Sequence, residues 1–125
     1  WAAWFMTPYV WMFISSYEQM RQRIIRQEHI SSLIQLEYSG FEGATVPICT
    51  FTLEKGHSDR KSAFVRLSDF VGAKQQGPRA LEIIDAHNNE QSDHSDMRKY
   101  FFEVNQHEFA QIPVRQSFTG LANLC

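Results

Sequence analysis

The chain has 125 residues, of which 43% are apolar and 14% aromatic. This length supports at most one domain, and the apolar content is enough for a hydrophobic core, which excludes a largely disordered chain. The formal net charge is −2, so no global basic field of the kind that attracts nucleic acid or an anionic membrane is present, and any such site must be local.

The two cysteines are Cys49, inside an apolar run, and Cys125, at the last position. Their spacing is unlike that of a zinc site, and a buried small side chain with a terminal thiol is favoured over a disulfide. This usage fits a reducing, cytoplasmic setting.

The first stretch, WAAWFMTPYVWMFI, is almost wholly apolar. It lacks the basic start and small-residue cleavage site of a signal peptide, and it is shorter than the roughly 20 residues of a membrane span. We therefore expect no membrane association. Residues 1–6 are predicted to form a strand buried on both faces, as in a parallel sheet, with neighbours that lie upstream.

Two helix starts compete after this strand. Thr7 can act as N-cap with Pro8 at the first helical position, or Ser15 can act as N-cap with Glu18 completing a capping box. We prefer the second, with a helix that ends near residues 27–29, because apolar residues follow it at helical spacing: Phe13, Tyr17, Met20 and Ile24.

Two short apolar runs, 31–36 and 46–53, are rich in residues that suit strands, and the loop between them carries two glycines and Phe41. Residues 63–67 alternate well enough for a further strand, which we expect to form a hairpin with 46–53. Pro78 should open a helix through about residue 87, with its apolar side made of Ala80, Leu81, Ile83 and Ile84.

Residues 88–96 contain no apolar side chain and should form an exposed connector. The flanking His87 and His94 suggest a metal site, but a solvated polar loop explains them equally well and is preferred. Residues 99–104 are a strand candidate. Asn105 and Glu108 have capping-box spacing for a short helix that stops before Pro113.

The sequence contains no nucleophile elbow, phosphate-binding loop, glycine-rich dinucleotide motif or HExxH zinc motif. The order of elements is typical of half a doubly wound α/β sheet, whose ligands bind at the carboxyl ends of the strands. Segments 7–11 and 38–44 lie at such ends and contain aromatic residues that either pack in the core or stack on a flat ring: Tyr9, Trp11, Tyr38 and Phe41.

Four stretches carry a family resemblance: VWMFISSYEQMRQRIIRQ, ISSLIQLEYSGFEGATVPICTFTL, SAFVRLSDF and, more loosely, YFFEVNQHEFAQIP. Together they resemble the adenine-specific DNA methyltransferases of BREX phage-defence systems, the PglX family. The resemblance covers roughly residues 5–113, and residues 11–53 are its specific part.

The resemblance implies a γ-type amino-methyltransferase, which transfers a methyl group from S-adenosylmethionine to the exocyclic amine of an adenine flipped out of double-stranded DNA. The family's Asn-Pro-Pro-Tyr motif and its cofactor-binding glycine motif are absent here, since Thr7-Pro8-Tyr9 lacks the asparagine. The chain thus resembles a C-terminal fragment of the catalytic domain. We expect no catalytic residue and no bound cofactor in this fragment, which would be inactive alone, and DNA and other BREX proteins as partners of the whole enzyme.

The fold implied is α/β, a partial Rossmann-like methyltransferase sheet with flanking helices and a short α+β extension. Residues 1–6 would be the fifth strand, 31–37 the sixth and 46–53 the antiparallel seventh, lying between the other two. The resemblance divides the chain into 1–70 from the catalytic domain, 71–113 leading towards the target-recognition region, and an atypical tail, 114–125, such as a frameshift or truncated frame would produce.

In γ-type enzymes an aromatic residue five positions before a valine at the start of the seventh strand packs against the flipped base. Phe41 and Val46 have that spacing, so the resemblance implies Phe41 as a base contact, with Pro8, Tyr9 and Trp11 as pocket walls. The alternative keeps Phe41 as a loop anchor in the core.

Two other functions stay open at this stage. A small interaction module could use the apolar N-terminal residues to bind a partner or a second copy. A restriction endonuclease is disfavoured, because no clustered Asp and Glu-x-Lys pattern follows a strand.

Overall fold

The computed structural model describes residues 1–12, 14–38, 43 and 46–106, with only the backbone at Tyr9. Phe13, Phe41, the Glu108 capping box and the tail 114–125 lie outside the described residues. The five strands are β1 Ala2–Pro8, β2 Glu28–Gln35, β3 Ile48–Lys55, β4 Lys61–Arg66 and β5 Phe101–Asn105. The two α-helices are α1 Glu18–Gln27 and α2 Ala73–Asn88. Short 3₁₀ turns cover Tyr9–Met12, Ser15–Tyr17 and Ser95–Tyr100.

The five strands form one mixed sheet in the order β1-β3-β2-β4-β5. β3 is antiparallel to both of its neighbours, and Phe51 of β3 lies opposite Phe5 on one side and Leu33 on the other. β1 and β2 are therefore parallel to each other. This arrangement confirms the predicted insertion of an antiparallel strand between two parallel ones.

The predicted hairpin between residues 46–53 and 63–67 is wrong. Both edges of β3 are already paired with β1 and β2, so β4 joins the outer edge of β2 instead, in parallel, with Phe64 opposite Leu33. β5 then pairs antiparallel with β4. Local alternation identified the strand but could not identify its partner, because pairing depends on which edges are free.

β1 is not buried on both faces, contrary to the sequence prediction. Within the described residues it pairs only with β3 and forms one edge of the sheet. The side chains of Trp4 and Met6 are 86% and 51% exposed. The apolar run correctly predicts a strand. The predicted burial on both faces is not present, because among the described residues only β3 pairs with β1.

The helix predicted after Ser15 is present and ends at Gln27, within the expected bounds. Ser15 begins a 3₁₀ turn rather than capping the helix, and the N-cap position is Tyr17, which makes no side-chain capping bond. The competing start at Thr7 is excluded, because Thr7 and Pro8 belong to β1.

The buried face of α1 differs from the predicted stripe. Ile24 is buried as expected, but Met20 is 40% exposed and Arg21 is fully buried. The Arg21 guanidinium donates hydrogen bonds to the backbone carbonyls of Trp11 at 2.9 Å and Ile14 at 2.5 Å. Both bonds come from Nη1, and they partly offset the free-energy cost of burying the cation.

α2 begins at Ala73, five residues before Pro78, which therefore lies inside the helix rather than at its start. The first turn is held by Gln76, whose side chain accepts from the backbone N–H of Glu37 at 3.1 Å and donates to the carbonyl of Phe70 at 2.6 Å. The bond with Glu37 ties the start of the helix to the segment after β2, while the interior Pro78 costs the helix one backbone hydrogen bond.

Two apolar cores lie on opposite faces of the sheet, because neighbouring strand residues such as Phe64 and Val65 point to opposite sides. Ile83 of α2 is buried as predicted, whereas Leu81 is 69% exposed. The α1-side core contains Trp11, Met12, Ile24, Ile25, Ile30, Leu33, Cys49, Phe51 and Phe64. The α2-side core contains Val65, Leu67 and Ile83 with partly buried Ile34, Leu36 and Phe101.

The polar connector is mostly exposed, as predicted, and leads into the last 3₁₀ turn before β5. His87 stacks on Phe101 with ring centroids 3.7 Å apart, and its Nε2 lies 3.1 Å from a carboxylate oxygen of Glu103. In the described ranges no group of three or more His, Cys, Asp or Glu side chains is placed to hold a metal ion. No described helix has the length and apolar character of a membrane span.

Candidate functional site

The parallel direction of β1 and β2 brings their carboxyl ends to one edge of the sheet. There Pro8 lies opposite Ile48, and Gln35 lies opposite Cys49. The turn after β1, the residues after β2 and the start of β3 therefore converge, as expected for an α/β ligand site. We call this edge the carboxyl edge; the segment that carries Phe41 connects β2 and β3 and so leaves from it.

The three other predicted pocket residues occupy different environments at this edge. Pro8 is exposed, Tyr9 starts the 3₁₀ turn, and Trp11 is only 5% exposed. The indole N–H of Trp11 donates to Thr7 Oγ1 at 3.0 Å, and its ring lies 5.1 Å from that of Phe51. Trp11 thus locks the turn onto β1 from the core, and Pro8 lies nearer the surface.

A groove of about 490 Å³ lies between β1, β3 and the turn that leads into α1. We call it the α1-side groove. Apart from the hydroxyls of Thr7 and Tyr17 and the indole N–H, its lining side chains are apolar. It is lined by Phe5, Thr7, Pro8, Val10, Trp11, Tyr17, Met20, Ile24, Phe51 and Leu53.

A second groove, of about 380 Å³, runs across β1, β3 and β2, and we call it the cross-strand groove. Trp4, Thr52 and Ser32 are aligned across its floor, followed by Met6, Thr50 and Ile34 in the next row. Since alternate strand residues point to opposite faces, it opens on the face away from α1.

Neither groove fits S-adenosylmethionine. That cofactor carries an ammonium group and a sulfonium charge, which anionic and polar groups stabilise, and no acidic side chain or glycine lines either groove. The carboxyl edge can offer apolar and stacking contacts.

Cys49 lies near this edge, but its thiol is unreactive. Its side chain is fully buried, and burial raises the pKa of the thiol, an effect that contacts with Thr7 and Trp11 only partly oppose. The reactive thiolate is thereby suppressed. Cys49 serves as a small core residue, as the sequence predicted.

Sequence reasoning missed two buried polar residues that position the elements around the carboxyl edge, Arg21 and Gln76, and a third, Gln106, that holds the opposite end of β2. It also missed His29, a buried residue of β2 whose pKa is lowered, mainly by burial. Gln106 and His29 have no sequence signal, because each acts through residues distant in the chain. For Arg21 one sequence signal was available: its partners Trp11 and Ile14 precede it by only 10 and 7 residues in the chain.

No family model and no curated protein matches the chain. Solved structures do match. A type I restriction-modification methyltransferase subunit from Streptococcus thermophilus superposes with a TM-score of 0.65 at 12% identity, over 94% of this chain and 26% of that one. The EcoKI M protein, a type I restriction enzyme subunit (EC 2.1.1.72), gives 0.58 at 9% identity over 98% and 38%.

A chain from a structure of type I restriction-modification complex assembly and conformational transition gives 0.62 at 9% identity, over 88% of this chain and 26% of that one. At these identities the likeness is one of fold. The chain therefore has the mixed α/β fold of part of a type I restriction-modification methyltransferase subunit. It spans about a quarter to two fifths of the length of these three structures.

Proposed function

We propose that the chain is a C-terminal part of the catalytic domain of an S-adenosylmethionine-dependent DNA methyltransferase that modifies the exocyclic amine of adenine. The insertion of antiparallel β3 between parallel β1 and β2, which superposes on methyltransferase subunits, carries this proposal. The assignment to a BREX phage-defence system has narrower support, namely the resemblance of residues 11–53.

The target adenine would lie at the carboxyl edge. We propose that Phe41 packs against the flipped base, with Pro8 and Tyr9 forming the wall and Trp11 supporting it from behind through Thr7. The hydrogen bond from Trp11 to Thr7 and the alignment of Pro8 with Ile48 support this arrangement. Base flipping requires such a surface, because the amine is inaccessible within the stacked duplex.

The cofactor would be held by the remainder of the enzyme, because the described grooves do not fit it. Double-stranded DNA and other BREX proteins are the proposed partners, in a bacterial cytoplasm. A matched structure concerns type I complex assembly, which supports a protein that works with others. Residues 71–113 would lead towards the target-recognition region.

The test uses the protein encoded by the complete reading frame that contains this chain. Methyl transfer from radiolabelled S-adenosylmethionine to DNA, followed by nucleoside analysis, should yield N6-methyladenine. Phe41→Ala should lower kcat/KM roughly 5- to 150-fold, the equivalent of about 1–3 kcal/mol of base stacking. Tyr38→Ala, at an exposed aromatic residue of the same edge, is the matched control and should change it less than about threefold.

If the protein of the complete reading frame did not methylate adenine in DNA, the enzyme assignment would be refuted. If Phe41→Ala and Tyr38→Ala lowered kcat/KM equally, the enzyme assignment would stand, but the proposed base contact by Phe41 would be refuted.

A non-enzymatic interaction module is the second candidate. The observation that favours it is the exposure of Trp1 and Trp4, at 73% and 86%. Analytical sedimentation compares the 125-residue chain alone with the chain mixed with the remaining polypeptide of its reading frame. A fragment of the enzyme should bind that polypeptide, whereas a self-sufficient module should not and should bind a different partner.

A further inference from the structure

Five side chains form a group of cations and aromatic rings between the end of β4, the beginning of α2 and the last 3₁₀ turn. The rings of Phe70 and Tyr100 lie edge to face with centroids 5.0 Å apart. The guanidinium carbon of Arg79 lies 5.2 Å from the centre of the Phe70 ring. The guanidinium carbon of Arg66 and the ammonium nitrogen of Lys99 lie 5.4 and 5.2 Å from the centre of the Tyr100 ring. We call this group the cation–aromatic cluster.

The cluster lies at the carboxyl edge, beside the end of β2 from which the segment with Phe41 leaves. β4 is parallel to β2, and its last residue, Arg66, lies opposite Gln35, the last residue of β2. The N–H of Leu67 then donates to the Gln35 carbonyl at 2.9 Å. The predicted base contact and the cluster therefore follow neighbouring strands at the same edge of the sheet.

The cations of the cluster are accessible and only partly neutralised. The side chains of Arg66 and Arg79 are 31% and 36% exposed, and Lys99 is exposed. Arg66 contacts Asp69 at 3.2 Å and Arg79 contacts Glu82 at 2.9 Å. Pairs as exposed as these are weak, so another anion can compete with the carboxylates. Three cations meet two carboxylates in these contacts, which leaves a local positive charge in a chain whose net charge is −2.

The donors of the cluster suit the oxygens of a phosphodiester. A guanidinium carries five N–H donors in one plane, and two of them can match two phosphate oxygens. The attraction between a cation and a ring acts on the charge and uses none of these donors. The rings of Phe70 and Tyr100 thus fix the positions of the charges while donors remain for a ligand. Lys99 adds a compact point charge on a flexible stem.

A flipped adenine at the carboxyl edge would bring the phosphates of its own strand to that edge, because the nucleotide turns about its backbone. We propose that the cation–aromatic cluster binds phosphates of the target strand next to the flipped adenine. Arg66 and Arg79 donate to the phosphate oxygens, and Lys99 supplies charge. The cluster positions the strand without reading its sequence. This inference rests on the proposed function and adds a phosphate site to the proposed base contact.

The test measures DNA binding by the protein of the complete reading frame, using fluorescence anisotropy over a range of salt concentrations. The probe is a fluorescein-labelled duplex in which one adenine faces an abasic position, since an unpaired base is extruded at least cost. Arg66→Gln, Arg79→Gln and Lys99→Gln should each weaken binding about 3- to 10-fold. Each should also reduce the slope of log affinity against log salt concentration by about 1, as the loss of one phosphate contact does.

Arg26→Gln is the matched control, because it removes the same charge from an exposed position in the last turn of α1, at the opposite end of β2. Its affinity should stay within about twofold of wild type, with an unchanged slope. Arg66→Lys should bind more weakly than wild type but keep the wild-type slope, because lysine retains the charge and lacks the planar fork. A variant that merely folded less well would lower the amount of active protein without changing the slope.

Wild-type slopes in all three glutamine variants of the cluster overturn the inference, and so does an equal loss of affinity in Arg26→Gln. Unchanged DNA binding together with lost binding to poly-L-glutamate also overturns it, since the cluster would then serve an acidic protein partner.

The outcome is separable from that of the enzyme assignment. A reduced salt slope in the cluster variants without any methyl transfer to DNA would uphold the phosphate site and refute the proposed activity. Methyl transfer by a protein whose DNA binding is indifferent to the three substitutions would uphold the activity and refute the phosphate site.

Discussion

Gln106 holds the backbone of Ile30, although 76 residues separate them: its side-chain carbonyl accepts the Ile30 N–H at 2.9 Å. The amide nitrogen of Gln106 donates to the carbonyls of Glu28 at 2.7 Å and Ile25 at 3.0 Å. These carbonyls lie where α1 ends and β2 begins, so one buried side chain satisfies groups that a helix end leaves without partners. The sheet register of β2 shifts between Ile30 and Ser32, just beyond this contact.

Gln106→Ala should therefore destabilise the fold by about 2 kcal/mol, because it leaves several buried backbone groups without partners. Urea unfolding followed by far-ultraviolet circular dichroism measures the change. Gln91→Ala is the control, since Gln91 is exposed in the connector, and should stay within about 0.5 kcal/mol of wild type. Equal stability of both variants would show that water replaces Gln106 at no cost.

His29 should make the fold sensitive to mild acid. Burial lowers the pKa of His29 below its ordinary 6.5, reinforced by Arg60 and His57 and opposed by Glu54. At pH values above 6.5 the residue is neutral in both states and contributes no pH dependence. As the pH falls through 6.5 towards the lowered pKa, the unfolded chain binds the proton first, so the free energy of unfolding decreases.

The measurement is urea unfolding of wild type, His29→Gln and His94→Gln between pH 7.5 and 5.5. His29→Gln should have the shallower decline, because its titrating group is gone. His94→Gln, at an exposed position, should follow the wild-type slope. Identical slopes for wild type and His29→Gln would contradict the assignment.

Arg21 should be a structural residue rather than a DNA contact, despite its place among the arginines of α1. Its guanidinium is buried and bonded to the carbonyls of Trp11 and Ile14. Arg21→Ala should cost about 2–4 kcal/mol, since it empties a buried volume and removes buried hydrogen bonds to two backbone carbonyls. Thermal unfolding measures it.

Arg23→Ala provides the comparison, because Arg23 is exposed on the same helix. It should change stability by less than about 0.5 kcal/mol. If Arg21→Ala proved as stable as Arg23→Ala, the buried hydrogen bonds would have no net effect on folding.

Part of the candidate site could be predicted from the sequence, as the segment that contains Phe41 illustrates. Strand runs on either side predicted that its loop joins two strands, and the register of Gln35 with Cys49 shows that both strands reach the carboxyl edge. Trp11 was a candidate for the same edge by its position in the chain. Its burial depends on Phe51, which comes from β3, so a local pattern could not have predicted it.

The sequence by itself determined which segments form strands and which form helices, although not every boundary. Short β-branched and aromatic runs specify β2 and β3, and the end of α1 follows from the loss of helical spacing, because these preferences act between residues close in the chain. Only the tertiary structure decided that β4 pairs with β2, that Arg21 is buried and that α2 begins before Pro78. The pairing of β4 depends on which strand edges are free, and the start of α2 depends on a hydrogen bond with Glu37 from a distant segment. The partners of Arg21 are only 7 and 10 residues away, but the turn that presents their carbonyls takes its shape only when Trp11 packs on the sheet.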